Sequence, residues 1–419
     1  MIKSKNLIQK GVFFAFAMWL SSRIIICISM LAIAPLLPVP EGGVAATFSW
    51  DVFHSWDSVW YQKIVTFGYE YINDGKQYSI AFLPLFPLLI RAVMLTGLPF
   101  NIAGLLVNNL SFLAALILLY SWIEERYDSS AARWATATLA WCPLSLFCTV
   151  IYTEGLFLLC STAALRAFDK QKYAQTAFWG ALSTATRSPG LALIPAFLIV
   201  SFKEKRGVKA YLASFATASG ILLFSLYCQM KFGDALAFVH VQKGWRESAG
   251  FAGEGWWLMI QQITLGQTIV DSSGIRYIGY PLKFGIISIS ACFLWRFRKQ
   301  IGSKKTDYGI FVLWILLWSM AQENLVRITI IYGGVCLSWI SRNKIPFVTV
   351  LYGFFTYLLI FNTGLTLSVE RYVYGIVSLS IALGLIVNRH PRWGYMIMSF
   401  FALVLAKFSI IFSQKLWLS

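Results

Sequence analysis

The chain has 419 residues, of which 58% are hydrophobic and 13% charged, and its mean hydropathy is +0.67. Soluble domains carry about 25% charged residues, so this composition excludes a soluble globular protein and points to an all-α polytopic integral membrane protein. The net charge of +17 does not call for a nucleic-acid partner. Its Lys and Arg fall in short clusters between apolar runs, as the positive-inside rule expects of cytoplasmic loops: Lys3/Lys5/Lys10, Lys170/Lys172, Lys203/Lys205/Arg206/Lys209, Arg296/Arg298/Lys299/Lys304/Lys305, Arg342/Lys344 and Arg389/Arg392.

The first apolar run, 11–37, follows a basic start as a signal peptide would. It is long, contains Arg23 and lacks a clear small-x-small site, so an uncleaved first span is expected. A bilayer core of about 30 Å needs about 20 helical residues. Runs of that order predict further spans near 102–122, 131–149, 210–230, 279–297, 345–366, 371–388 and 394–412. Shorter runs at 154–169, 174–186, 189–202, 307–320 and 326–341 read as short or tilted spans or as re-entrant halves. The seven cysteines lie inside apolar runs without a CxxC pair, which makes them small core residues rather than a disulfide or zinc framework.

With Lys3–Lys10 in the cytoplasm, nearly every basic cluster lands on one side. The run from Ala174 to Ser201 is basic at both ends and broken at Thr186-Arg187-Ser188-Pro189-Gly190. A helix, a turn at the outer face and a second helix fit it. Two long loops then lie outside the cytoplasm, at about 38–101 and 231–277. Both are rich in aromatics, including Trp50, Trp56, Trp60, Tyr61, Tyr69 and Tyr71 in the first and Trp245, Trp256, Trp257 and Tyr277 in the second. Such residues favour the headgroup layer, but anchoring needs no interleaved acids and histidines.

The first loop gathers Asp51, His54 and Asp57, with Glu70 and Asp74 after them, ahead of the Pro-broken stretch Phe82–Arg91. A carboxylate at the edge of a low-dielectric cavity can take a proton from a substrate hydroxyl. Asp57, flanked by Trp56, Trp60 and Tyr61, is the best candidate; the other reading is a set of solvated loop acids. At the breaks, Thr153-Glu154 and Ser188-Pro189 each open an apolar run at the outer face. They offer helix N-termini that could take an anion or serve only as caps. Among the charges at membrane depth or edge are Arg23, Arg91, Arg187, Glu323, Arg327, Glu370 and Arg371, residues that usually face a cavity or a partner. Arg371, at the start of a span, reads either as an anchor that snorkels outward or as a phosphate ligand. In the second loop, Phe238, Val241 and Trp245 follow helical spacing, with His240 and Lys243 on a polar edge. This is read as a short amphipathic helix lying on the membrane. The histidines are too few for a His-based metal site.

Taken in order, His54-x-Trp56-Asp57-Ser58 with Tyr61 and Gly68-Tyr69, Phe82-x-Pro84-x-x-Pro87, Tyr152-Thr153-Glu154, Ala185-Thr186-Arg187-Ser188, Gly233-Asp234…Phe238…Gln242…Trp245-Arg246 and Arg371-Tyr372 resemble the PIG-V family of mannosyltransferases. That family adds the second mannose in GPI-anchor synthesis and has many bacterial relatives. The resemblance implies one GT-C type glycosyltransferase domain over 1–419, with about 11–13 membrane helices and the two outer loops as its working face. It implies transfer of a hexose, most simply mannose, from a dolichyl or undecaprenyl phosphate donor to a lipid-linked or glycan acceptor, by an inverting displacement. Asp57 carries over as the acidic residue of the first loop, the base for the acceptor hydroxyl, with Asp51 and His54 beside it. Arg187 and Arg371 carry over to the family's basic positions, and Arg246 and Lys243 join them as donor-phosphate ligands. Trp56, Tyr61, Tyr69, Glu154, His240, Gln242 and Trp245 would line the substrate pocket. No metal ligand set stands out, which leaves a divalent cation (Mg or Mn) as an optional aid to the phosphate. Pro189, Phe82-Leu83-Pro84 and the modest length depart from the eukaryotic pattern. They favour a bacterial cell-membrane relative over an endoplasmic reticulum enzyme. The competing reading is a lipid or anion transporter, or flippase, without transfer chemistry; a non-catalytic partner subunit is the third.

Overall fold

The computed structural model describes residues 2–246, 250–266, 279–364 and 368–418, with backbone alone for residues 2–8. Tyr277 and the rest of 267–277, assigned above to the second loop, lie outside the described residues.

The elements are α-helices joined by short 3-10 and π turns. In the N-terminal half they are α1 (Ile2–Ile28), α2 (Asp57–Phe67), α3 (Leu85–Met94), α4 (Phe100–Arg126), α5 (Ser129–Trp141), α6 (Glu154–Asp169), α7 (Tyr173–Thr186), α8 (Leu193–Lys203), α9 (Val208–Ala216) and α10 (Ser219–Phe232). There follow α11 (Ala237–His240), α12 (Gly253–Thr264), α13 (Gly279–Arg296), α14 (Arg298–Ile301), α15 (Ser303–Ile328), α16 (Gly334–Ser341), α17 (Phe347–Phe361), α18 (Val369–Tyr374), α19 (Val377–Arg389) and α20 (Pro391–Ser413). Among the described residues, five helical runs are long and apolar enough to cross a membrane: Gln9–Leu36, Phe100–Arg126, Val208–Phe232, Ser303–Ser341 and Pro391–Ser413. The expected all-helical membrane architecture is therefore what the chain adopts.

Contacts divide it into two compact units, Met1–Ala249 with Leu337–Ser419, and Gly250–Cys336. In the first, α4 packs on α5 and α6, α1 lies against α4 and α5, and α5 pairs with α19. The α5–α19 approach is close. A Cβ on Gly384 would meet the Ala135 Cα at 2.5 Å, the small-residue contact by which membrane helices pack without a hydrophobic drive. In the second unit, Ile263 of α12 meets Ala321 and Leu325 of α15, with Phe284, Trp314 and Trp318 around them.

The first loop is not an open strap. Tyr61, Ile64 and Val65 of α2 and Phe86 and Ile90 of α3 share a buried cluster with Phe100 and Ala103 of α4 and Ile151 and Leu156 near the start of α6. This docks the loop on the bundle. Residues 237–244 also differ from expectation. They form one short helix and a 3-10 turn whose Ala237 and Val241 are buried with Ile80, Leu83, Phe224 and Cys228. Their apolar face covers the protein's own core rather than lying on the membrane.

Two predicted spans are interrupted, and two of the shorter runs lie in one helical stretch. The 131–149 run stops at Trp141 because Pro143 follows Cys142, which is held extended at φ −48°, ψ 134°; a 3-10 turn, Pro143–Cys148, replaces the rest. The 371–388 run divides into α18 and α19 at Ile376, φ −83°, ψ 84°. The runs at 307–320 and 326–341 are instead one helical stretch, Ser303–Ser341, kinked at Gln322. Gln322 itself leaves helical geometry, at φ 49°, ψ −128°, so two helical arms meet at that point.

The Pro143–Cys148 turn puts non-helical backbone inside an apolar bundle, which is tolerated only where protein groups satisfy it. Asn108, in the middle of α4, does this. Its Nδ2 donates to the carbonyls of Phe147 (2.8 Å) and Val150 (2.6 Å), and its Oδ1 accepts the Gly155 N–H at 2.8 Å. Asn109 donates to the Thr149 carbonyl at 2.8 Å. Asn108→Leu removes all three bonds of Asn108. At about 0.6 kcal/mol per bond in a membrane interior, unfolding in SDS titration is expected to lose about 2 kcal/mol, and unchanged stability would remove Asn108 as the clamp.

Candidate active site

Four separate chain segments deliver the charged side chains of one cluster. Asp57 is the first residue of α2, and Trp56 before it takes φ 58°, ψ −116°. A bulky residue held there costs on the order of 1–3 kcal/mol, and such strain concentrates at functional sites. The Asp57 N–H points at the Tyr152 hydroxyl, 3.4 Å away. Glu154 opens α6 directly after the turn that Asn108 clamps. Arg187 is the extended residue, φ −151°, ψ 148°, between α7 and the 3-10 turn Ser188–Ala192. Arg371 sits in the six-residue α18, entered through Ser368 in the left-handed region at φ 61°.

These residues interlock. Arg371 Nη2 donates to Asp57 Oδ2 at 2.8 Å, and Arg371 Nε donates to Glu154 Oε1 at 2.9 Å. Arg187 Nη1 donates to the same Glu154 oxygen and lies 3.5 Å from Thr153 Oγ1. Aromatic faces hold the cations. The Arg371 guanidinium is 4.5 Å from the Tyr152 ring centroid and 4.8 Å from that of Phe147, and Arg187 is 4.8 Å from Tyr372. Glu154 and Arg371 are buried, while the Asp57 side chain keeps 17% of its surface. Two carboxylates and two guanidiniums cancel in charge. That matters because each ion alone would carry a desolvation cost of several kcal/mol. The second oxygen of Glu154, Oε2, is buried with no hydrogen-bond partner among the described residues, and Arg187 spends a single nitrogen on its bonds.

Of the residues named from the sequence, Asp57, Glu154, Arg187 and Arg371 thus come together, and Tyr61 lies buried under α2 against Phe82 and Phe86. The others are placed elsewhere. Asp51 is exposed and bonded to Ser49 Oγ at 3.1 Å. His54 stacks edgewise on Phe100, ring centroids 5.8 Å apart. Burial pushes its imidazole below the usual range, outweighing a backbone hydrogen bond at Ser58. Trp56 packs on Trp417 at 4.9 Å. Tyr69 donates to the Phe82 carbonyl at 2.9 Å. His240 meets Asp234 at 2.7 Å and Gln242 donates to the Phe238 carbonyl. Trp245 meets Trp60 and Phe82 edge-on, Lys243 is exposed, and Arg246 donates to the Thr363 carbonyl. Arg371 does not snorkel: a guanidinium paired twice inside the protein has no need to reach the interface.

Ser188-Pro189 open a 3-10 turn rather than an α-helix, and the start of α6 is not the vacant anion site expected. Thr153 makes no capping bond and turns to Arg187, and the α6 terminus already has the Glu154 carboxylate in its first turn. Asn108-Asn109 was the overlooked signal, two adjacent amides inside an apolar run. Among the described residues, no group of three or more His, Cys, Asp or Glu is placed to hold a metal ion.

Glu154→Gln leaves two buried guanidiniums sharing one carboxylate. Unfolding is expected to lose about 3–5 kcal/mol, whereas Asp51→Asn should stay within about 0.5 kcal/mol; equal effects would mean the cluster is not the structural hub. A pH effect is expected at Asp234. Burial works to raise its carboxyl, but hydrogen bonds from His240, the Leu236 N–H and Tyr71 hold it below the usual range. A lowered carboxylate contributes stability above its unfolded pKa that is lost as pH falls through the folded value. Acid melts of Asp234→Asn should therefore lack part of the wild-type loss below the usual carboxylate range.

The family model described as Mannosyltransferase (PIG-V) matches residues 43–206. No curated protein sequence matches the chain. Among solved structures, the oligosaccharyltransferase of Archaeoglobus fulgidus, in a complex with Zn and sulfate, aligns with TM-score 0.45 and 13% identity, covering 95% of this chain and 52% of that one. The same organism's AglB, with an inhibitory peptide and a dolichol-phosphate, aligns with TM-score 0.44, 11% identity and coverage of 96% and 56%. ArnT from Cupriavidus metallidurans, bound to undecaprenyl phosphate, aligns with TM-score 0.38, 11% identity and coverage of 90% and 77%. The chain spans about half the length of the archaeal proteins it matches. The stretch 43–206 holds Asp57, Tyr61, Glu154 and Arg187, and through it the chain is similar to the PIG-V mannosyltransferases.

Proposed function

We propose that the protein is a membrane glycosyltransferase. It moves a hexose, most simply mannose, from a polyprenyl-phosphate donor to a hydroxyl of a lipid-linked or glycan acceptor on the extracytoplasmic side. The observation that carries the reading is the meeting of Asp57 with Arg371, 2.8 Å apart, beside Arg187 and Glu154. It is supported by the PIG-V match over the stretch that supplies three of the four residues.

Asp57 is the least buried member of the cluster's acids, so it is the carboxylate a substrate hydroxyl can reach. In the proposed displacement the acceptor oxygen attacks C1 of the sugar and its proton passes to Asp57. The C1–O bond to the phosphate breaks on the opposite face, and the electron pair leaves on the phosphate oxygen. The configuration inverts and no enzyme-bound sugar forms. Arg187, with guanidinium nitrogens left over from its bond to Glu154, is the proposed ligand for that phosphate. Fixed cations aimed at developing negative charge need no reorganisation during the reaction. Arg371, held at both ends by carboxylates, sets the direction of Asp57. Glu154 balances both cations and keeps them apart from the bulk.

Asp57→Asn should cut transfer from a polyprenyl-phosphate-mannose donor by about 10²–10⁴-fold while protein abundance and donor binding persist. Arg187→Ala should instead raise the donor KM more than it lowers kcat. Wild-type turnover in Asp57→Asn would sink the assignment, and movement of donor across a reconstituted bilayer without sugar transfer would favour the transporter reading. Chelation by EDTA reads whether a divalent cation assists.

A further inference from the structure

The first span carries a guanidinium that the proposed transfer does not use. Arg23 lies near the middle of the run Gln9–Leu36 and is 5% exposed. Its Nη2 donates to the Ser145 carbonyl at 3.1 Å and to Ser145 Oγ at 3.0 Å, and its plane lies 4.9 Å from the Phe112 centroid. Among the described residues its Nε and Nη1 have no hydrogen-bond partner. An Arg at the centre of a membrane helix costs about 2.5–3.5 kcal/mol on insertion scales, where Met or Leu would fill similar space without that cost.

What Arg23 grips is the turn that seats the cluster. Ser145 belongs to the Pro143–Cys148 turn, whose Phe147 faces the Arg371 guanidinium. The chain leaving that turn presents Tyr152, the other ring against Arg371 and the partner of the Asp57 N–H. The amide of Asn108 holds this segment from one side. From the other, Cys148 Sγ lies 3.7 Å from the Tyr374 hydroxyl of α18, which donates to the Leu139 carbonyl at 3.0 Å. Arg23 is the contact that ties the turn's middle to α1.

We infer that Arg23 is a positioning residue for sugar transfer: it fixes the Pro143–Cys148 turn from the first span, and so sets the aromatic seat of Arg371 and the direction of the Asp57 carboxylate. The inference rests on the transferase reading of the cluster. It makes α1 part of the working site through Arg23, which acts through the turn and not on the reacting atoms.

The test compares wild type, Arg23→Lys, Arg23→Met, Phe147→Leu and the Arg23→Met/Phe147→Leu double variant as purified full-length chains. Arg23→Met should lower kcat by about 100-fold, the scale of a small misplacement of reacting groups, with the donor KM changed far less. Arg23→Lys, which keeps a charged donor, should recover part of the rate. In the presence of Phe147→Leu, Arg23→Met should add little, because both act through one seat. Hydrogen exchange should rise in Arg23→Met at 143–152 and 369–374 and stay unchanged at 208–232. Additive losses, a wild-type kcat in Arg23→Met, or faster exchange confined to α1 would each overturn the inference. Should Arg23→Met fail to fold, Arg23→Lys carries the same kinetic and exchange comparisons. A wild type that transfers sugar from no donor defeats the transferase reading instead, and the exchange pattern still decides whether Arg23 holds the turn.

Discussion

A guanidinium buried between two carboxylates organises this molecule. Arg371 reaches Asp57 with one nitrogen and Glu154 with another, and Glu154 in turn takes Arg187. Withdraw Arg371 and Glu154 keeps only Arg187 while Asp57 loses its cationic partner, which leaves a carboxylate unpaired in a site where that is costly. The rest of the local architecture is arranged around making that contact available. Glu154 must head a helix, Asp57 must head another, and Arg371 must lie on a short helix between two breaks.

Those requirements account for the irregular backbone. Long apolar helices alone could cross a membrane, but they would present a side chain only at helical intervals. The turn after Trp141, the extended Arg187 and the break at Ile376 each release a segment to aim a charged group inward. Released backbone in an apolar bundle needs hydrogen-bond partners, and polar residues inside apolar helices supply them. Asn108, Asn109 and Arg23 are examples of one device: an apolar helix carries a polar group whose task is to hold the backbone of its neighbour.

Around the cluster the two loops make a different kind of contact, mostly aromatic. Trp245 meets Trp60 and Phe82 edge to face, and Tyr71 donates to Asp234, which also holds His240. The first loop is thereby joined to the segment 237–246 near the cluster's Asp57-bearing helix. Lys243 is exposed and Arg246 donates to the Thr363 carbonyl.

Much of this was legible in the chain itself. Apolar run length and the sparse charge dictate a helical membrane protein, because only helices satisfy their own backbone in lipid at such lengths. Asp57, Glu154, Arg187 and Arg371 could be picked out singly, since a charge beside an apolar run is costly wherever it ends up. Their partnership could not. Asp57 and Arg371 are 314 residues apart, and nothing in local pattern says which acid neutralises which base. Nor does local pattern show that His240 meets Asp234 and Gln242 the Phe238 carbonyl, or that Arg23 reaches Ser145. Hydropathy is a property of a segment and can be read along it. Pairing depends on which helices pack together and where they break, and only the tertiary structure decided that.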